Sequence, residues 1–200
     1  MSRRIAACAL ALAIGTLLSG CAVLPQQTDA ADEAILRVVT LSREEEELVL
    51  RAVTAGIQTG DSSEPPETVE GRGADYEEAR TDLKREREAS LNHATDWVVE
   101  EDVFDEALKA FIIDPELTYA AHIYLLRDQS AGEFLAAFES EETGPSRTLS
   151  DLDRALEDRA VTVLEVSARL AAGEECKIPV LRAEEGKAEI EDEVTVKGWK

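Results

Sequence analysis

In a chain that is 32% charged, one segment has almost no polar side. Residues 115–128 bring Leu117, Tyr119, Ala120, Ala121, Ile123, Tyr124, Leu125 and Leu126 into close succession. A segment of this kind is stable only when it is covered all round, which predicts a helix buried among neighbours at the centre of the fold. Asp114-Pro115 supplies its start, with Asp114 as N-cap and Pro115 at the first helical position. The other elements have to pack around it.

Those elements read as helices with one apolar face. Ser42 and Glu45 have the spacing of a capping box, and Glu44 to Glu47 fall where a helix dipole favours negative charge. Leu48, Val49, Ala52 and Val53 would line that helix, which ends near Gly56 to Gly60. Ala74 to Glu101 predicts a long helix with Tyr76, Ala79, Leu83, Leu91, Ala94 and Val98 on one stripe. Val103, Phe104, Ala107, Leu108, Phe111 and Ile112 form the face of the next. Ser130 and Glu133 make a second capping box, ahead of Phe134, Leu135 and Phe138. Ser150 caps a last helix to Ala172, and Gly173 ends it.

Residues 60–73, rich in Gly, Pro, Ser and acid, read as a flexible loop. The tail differs from the rest. Lys177–Leu181 and Glu189–Val196 are β-rich around a turn at Glu184–Lys187, which predicts a small hairpin packed on the helices. The fold class expected is therefore mainly α: a single-domain bundle of roughly five or six helices with a C-terminal β-hairpin.

The amino terminus follows a different logic. Met1-Ser2-Arg3-Arg4 is positive, and Ile5 to Leu18 is apolar but too short to span a bilayer comfortably. The run ends in Leu17-Leu18-Ser19-Gly20-Cys21. It resembles the signal and lipobox of bacterial lipoprotein precursors, over the first 21 residues and not beyond. The resemblance implies diacylation of the Cys21 thiol, cleavage after Gly20 and acylation of the new amino terminus. Buried acyl chains contribute about 0.8 kcal/mol per CH₂, so two or three of them hold a protein on a membrane durably. Ala22, in place of the Asp that marks inner-membrane retention, points to the outer membrane and its periplasmic side. The organisation expected is a signal peptide at 1–20, a lipidated tether at 21–31, a helical domain at 32–172 and a β-rich tail at 173–200.

Loss of a signal carrying Arg3 and Arg4 takes the formal charge from −22 to −24. That argues against nucleic acid, whose phosphates need clustered Lys and Arg, and favours a partner with a basic surface. Of the three cysteines, Cys8 lies in the signal and Cys21 is the lipid acceptor. Cys176 is left alone, as a buried small hydrophobe, half of an intermolecular disulfide or a reactive thiol.

No Gly-x-Ser-x-Gly, His-Glu-x-x-His or Cys-x-x-Cys occurs. His93, Asp96 and Glu100 would share one side of the long helix, with Glu101, Asp102 and Asp105 close in sequence. That is either a divalent-cation site or a solvated charged face. His122, on the apolar segment, reads as a hydrogen-bonded core histidine. Asp105 to Phe138, with Ile113-Asp114-Pro115 between its halves, resembles one degenerate tetratricopeptide unit, without the second copy that stacking needs.

Cys21 is the one residue assigned a role, as the lipidation site. No catalytic, cofactor or metal residue is assigned. The function expected is a non-enzymatic, lipid-anchored module of the cell envelope that binds another envelope protein or scaffolds an assembly. The alternative is a module that binds or senses a divalent cation or cationic ligand. A cell-wall enzyme ranks third, since 4% aromatic content leaves little for a sugar groove.

Overall fold

The computed structural model describes residues 34–54, 58–59, 62–63, 66–86, 89–114, 116–141, 144–156 and 160–198. The expected helical bundle is wrong: the chain builds an α/β fold around a mixed sheet. The principal elements are β1 (Ala34–Glu44), β2 (Glu47–Thr54), β3 (Thr68–Gly73), α1 (Tyr76–Glu86), β4 (Asp96–Glu100), α2 (Phe104–Ile113), β5 (His122–Leu126), α3 (Ala131–Ala136), α4 (Gly144–Leu156), α5 (Val163–Ala171), β6 (Cys176–Glu184) and β7 (Lys187–Val196). The sheet runs β7-β6-β5-β4-β1-β2-β3, and the short strand Ala89–Ser90 pairs with the start of β1. β1, β4, β5 and β6 are mutually parallel, while β2, β3 and β7 join as antiparallel hairpins.

Helices cover both faces. On one face, α1, α2 and α5 pack on Leu41, Leu50, Trp97, Val99, Ile123, Leu125 and Val180. On the other, α3 and α4 pack on Val38, Val53, Val98, Tyr124, Leu126 and Leu181. Parallel strands covered on both sides become continuous apolar runs. This explains the segment expected to be a central helix: Ile123, Tyr124, Leu125 and Leu126 are indeed buried, but as strand β5.

The same cause corrects two more elements. Ser42 to Thr54 is the β1–β2 hairpin, not a helix. The apparent capping box is its turn, with Glu45 at φ 57°. The long helix of 74–101 stops at Glu86, and Asp96-Trp97-Val98-Val99 is the buried strand β4. With strand β5 following α2, the tetratricopeptide pattern does not form. Part of the expected loop, Thr68–Gly73, is the edge strand β3.

Other local signals hold. Ser130 and Glu133 form a reciprocal capping box on α3, and α2 ends at Asp114. Gly173, at φ 75°, follows α5. The tail hairpin forms through Glu185-Gly186, at φ 48° and 76°, and it extends the main sheet through β6. The expected final helix is two, α4 and α5, and the second starts on a Thr162–Glu165 capping box. Among the described residues no helix is long and apolar enough to cross a membrane.

Two contacts fix α1. A Cβ on Gly71 would lie 2.3 Å from the Ala79 carbonyl oxygen and 2.4 Å from the Leu83 nitrogen, both backbone atoms. The helix therefore rests directly on β3. At its other side, buried Asp114 accepts hydrogen bonds from the Tyr76 hydroxyl (2.7 Å), Arg80 Nη1 (2.9 Å) and the Glu116 amide (2.9 Å).

Gly71→Ala should therefore lower the unfolding free energy by about 1–3 kcal/mol, the usual cost of overpacking. Gly132→Ala, where a Cβ meets nothing within 4 Å, should be neutral or stabilise by up to about 1 kcal/mol. Urea denaturation midpoints of the two variants check the contrast.

Candidate functional site

Asp96 and His122 are the first residues of the adjacent parallel strands β4 and β5 and are paired in register. Alternation along the strands turns both to the face that α3 and α4 cover, as it does Val98 and Tyr124. On α4, Asp153 lies four residues after Leu149 and three before Leu156, in line with the buried stripe of that helix. The three side chains meet where the stripe crosses the strand starts.

His122 Nδ1 lies 2.7 Å from Asp153 Oδ2 and 3.8 Å from Asp96 Oδ1. The other oxygen of each carboxylate is held by a hydroxyl. Thr95 Oγ1 donates to Asp96 Oδ2 at 2.6 Å, and the Tyr124 hydroxyl donates to Asp153 Oδ1. Asp96 is 1% exposed, and its Oδ1 has no hydrogen-bond partner. The imidazole is 29% exposed, so the cluster opens to solvent on the histidine side.

The electrostatics follow from two carboxylates facing one imidazole. Asp153, then Asp96, push the His122 pKa up to about 10. Burial raises Asp96 above the ordinary carboxylate range, against the pull of His122 and Thr95. Burial and Asp153 both raise the Tyr124 phenol, which keeps its proton on the hydrogen bond to Asp153. One imidazole nitrogen and two carboxylate oxygens, all within 4.8 Å of one another, make a donor set suited to a cation.

The site expected from the sequence does not form. Asp96 and Glu100 stand at opposite ends of β4, about 13 Å apart at 3.3 Å per residue, and His93 is exposed on the short turn Leu91–His93. Glu101 and Asp102 sit on the turn after β4, and Asp105 is exposed on α2. Of that set only Asp96 enters the cluster. His122 is not an enclosed core histidine but the partner of two carboxylates. Cys176 is 1% exposed and burial raises its thiol pKa. Cys21 lies outside the described residues.

A second concavity lies at the opposite ends of the strands, where open α/β sheets commonly bind ligands. This open cleft of about 590 Å³ is lined by Glu100, Glu101, Asp102, Arg127, Asp128 and Ser130, among others. Its polar groups are largely spoken for. Glu100 accepts from the Ala131 amide at 2.7 Å, and Arg127 bridges Glu101 (2.7 Å) and Asp192 (3.0 Å).

A folded-state pKa near 10, above the unfolded value of about 6.5, fixes the sign of a pH effect. The His122 charge stabilises the fold fully below about pH 6.5, and that contribution is lost as pH rises through 10. In metal-free buffer the melting temperature should fall between pH 7 and 10, and His122→Gln should flatten the slope. Asp153→Asn should move the imidazole titration, followed by NMR, towards the ordinary histidine range. No family model, no curated protein and no solved structure matches this chain.

Proposed function

We propose that this protein is a lipid-anchored lipoprotein of the bacterial envelope, whose α/β domain is a non-enzymatic module that binds a basic envelope partner. The motif Leu17-Leu18-Ser19-Gly20-Cys21 after a short positive and apolar leader carries this reading. Cys21 is the acylated residue, and Ala22 favours the outer membrane. The tether that follows leaves the folded domain on the periplasmic side.

Charge supports the partner's chemistry. Among the described residues β7 pairs with β6 alone and forms one edge of the sheet. It exposes Glu189, Glu191, Asp192 and Glu193, the last three bridged by Arg182, Arg127 and Lys177, and its acids outnumber the one lysine on the strand. A second copy laid along this edge would set carboxylate against carboxylate, which guards against self-association. A basic segment meets no such repulsion and is steered by the charge of −24 left after loss of the signal.

Two measurements test the reading. Cys21→Ser should abolish incorporation of labelled palmitate and release the protein from membranes; labelling that persists removes the anchor. A photo-crosslinking residue at Thr195 should capture one envelope protein in intact cells. Glu189→Lys with Glu191→Lys should reduce that capture several-fold, and capture insensitive to the reversal removes the charge argument.

A further inference from the structure

We propose that Asp96, His122 and Asp153 form a mononuclear site for a divalent first-row transition ion, with zinc the best fit and one coordination position open to solvent. None of its three ligands belongs to the acidic edge strand β7. It rests on the arrangement of donors and on one buried oxygen that has no hydrogen bond.

The two gaps to the imidazole lie about half an ångström either side of the spacing the ion needs. A tetrahedral zinc with bonds of about 2.0–2.1 Å holds its ligand atoms about 3.3 Å apart. Here His122 Nδ1 is 2.7 Å from one carboxylate oxygen and 3.8 Å from the other. Shifts of about half an ångström, opening one gap and closing the other, give both the spacing of a loaded site. Asp96 Oδ1, fully enclosed and with no hydrogen-bond partner, faces the imidazole across the longer gap. A buried carboxylate oxygen in that condition is costly, and a cation bound between the three groups would satisfy it.

The surrounding hydroxyls fit the same role. Each carboxylate has one oxygen tied by a hydroxyl, from Thr95 or Tyr124, and the other turned to His122. Ligating carboxylates are typically oriented in this way by partners outside the ligand set. The choice of ion follows from the donors. Calcium needs six to eight oxygens and magnesium retains several waters, whereas an imidazole with two carboxylates suits zinc, manganese or ferrous iron. Three protein donors leave the fourth zinc position to water or to an incoming ligand. The partial exposure of His122 and Asp153, 29% and 17%, places that opening on the solvent side.

The test uses the full chain, purified in non-ionic detergent and stripped with a chelator. Titration with Zn²⁺ should show one tightly bound ion per chain, and Ca²⁺ at equal concentration should not displace it. His122→Gln and Asp153→Asn should each weaken zinc binding by at least about 100-fold, and Tyr124→Phe by about 10–100-fold, the range found for groups that orient ligands. His93→Gln should leave affinity unchanged. Circular dichroism reports whether the variants fold. X-ray absorption on zinc-loaded His93→Gln protein keeps the proposal testable if His122→Gln does not fold. In that protein His122 is the one remaining imidazole, and its scattering must appear with oxygen donors around zinc. Zinc bound without imidazole scattering, zinc retained by a folded His122→Gln variant, displacement by Ca²⁺, or no stoichiometric ion at all would each overturn the proposal.

Discussion

Burial of β1 on both faces is the constraint that the rest of the structure meets. Leu36, Val38, Val39, Leu41 and even Thr40 are wholly removed from solvent. A strand in that position needs neighbours on both hydrogen-bonding edges and helices above and below it. β2 and β4 supply the edges. The layers are not equivalent, because the β1–β2 ladder slips between Leu36 and Val38, leaving Arg37 as the extra residue. The slip moves Val38 to the face opposite Leu36 and so gives each helical layer its own apolar contacts.

The outer parts of the sheet are held by more specific contacts. α1 lies so close to β3 that Gly71 and Gly73 have no room for a side chain. Its Tyr76 and Arg80 both donate to Asp114 at the end of α2. A buried pair of this type adds little over apolar packing. Removing one partner, however, strands a charge, at a cost of about 3–5 kcal/mol. Asp114 thus fixes the relation of two helices on one face more than it contributes net stability. At the end of α2 the Asp114 carboxylate is turned inward to that network, and Glu116 and Leu117 bond back to Asp114 in a turn where the sequence suggested a helix start.

The parts of the fold legible in the sequence were those decided locally. A capping box at Ser130, a glycine after α5 and the Glu185-Gly186 turn depend on a few adjacent residues and formed as read. The strands β4 and β5 were missed because their partners are distant in sequence, and the β1–β2 hairpin because its turn carries the spacing of a capping box. A buried parallel strand loses the alternation that marks a strand, and over five residues its apolar run is indistinguishable from a buried helix by periodicity. Val38, Val39, Val49, Val53, Val98 and Val99 were the contrary signal, since β-branched side chains favour strands. Helical spacing also put His93 with Asp96 and Glu100, whereas a strand's rise separates them. The cluster that formed instead joins residues from three elements spread over 58 positions of sequence, from Asp96 to Asp153. No spacing rule connects them. The hint available was a polar residue at the head of each of two apolar runs.

That position matters energetically. Asp96 starts a strand whose next three residues are wholly buried, on a sheet whose core contacts are apolar. An apolar side chain there would pack against Tyr124 and the α4 stripe without desolvating a charge, and such replacements of buried ionic groups are often stabilising. Keeping a carboxylate instead requires a threonine, a histidine, a second aspartate and a tyrosine around it, and still leaves one oxygen without a hydrogen bond. Elsewhere the chain follows local and global preferences together: capped helices, glycines where backbones touch, and acids on an exposed edge. The other buried carboxylate among the described residues, Asp114, has both oxygens hydrogen-bonded. Asp96, by contrast, keeps an oxygen without a hydrogen bond in a cluster that reaches solvent, the condition that marks a candidate functional group rather than a structural one.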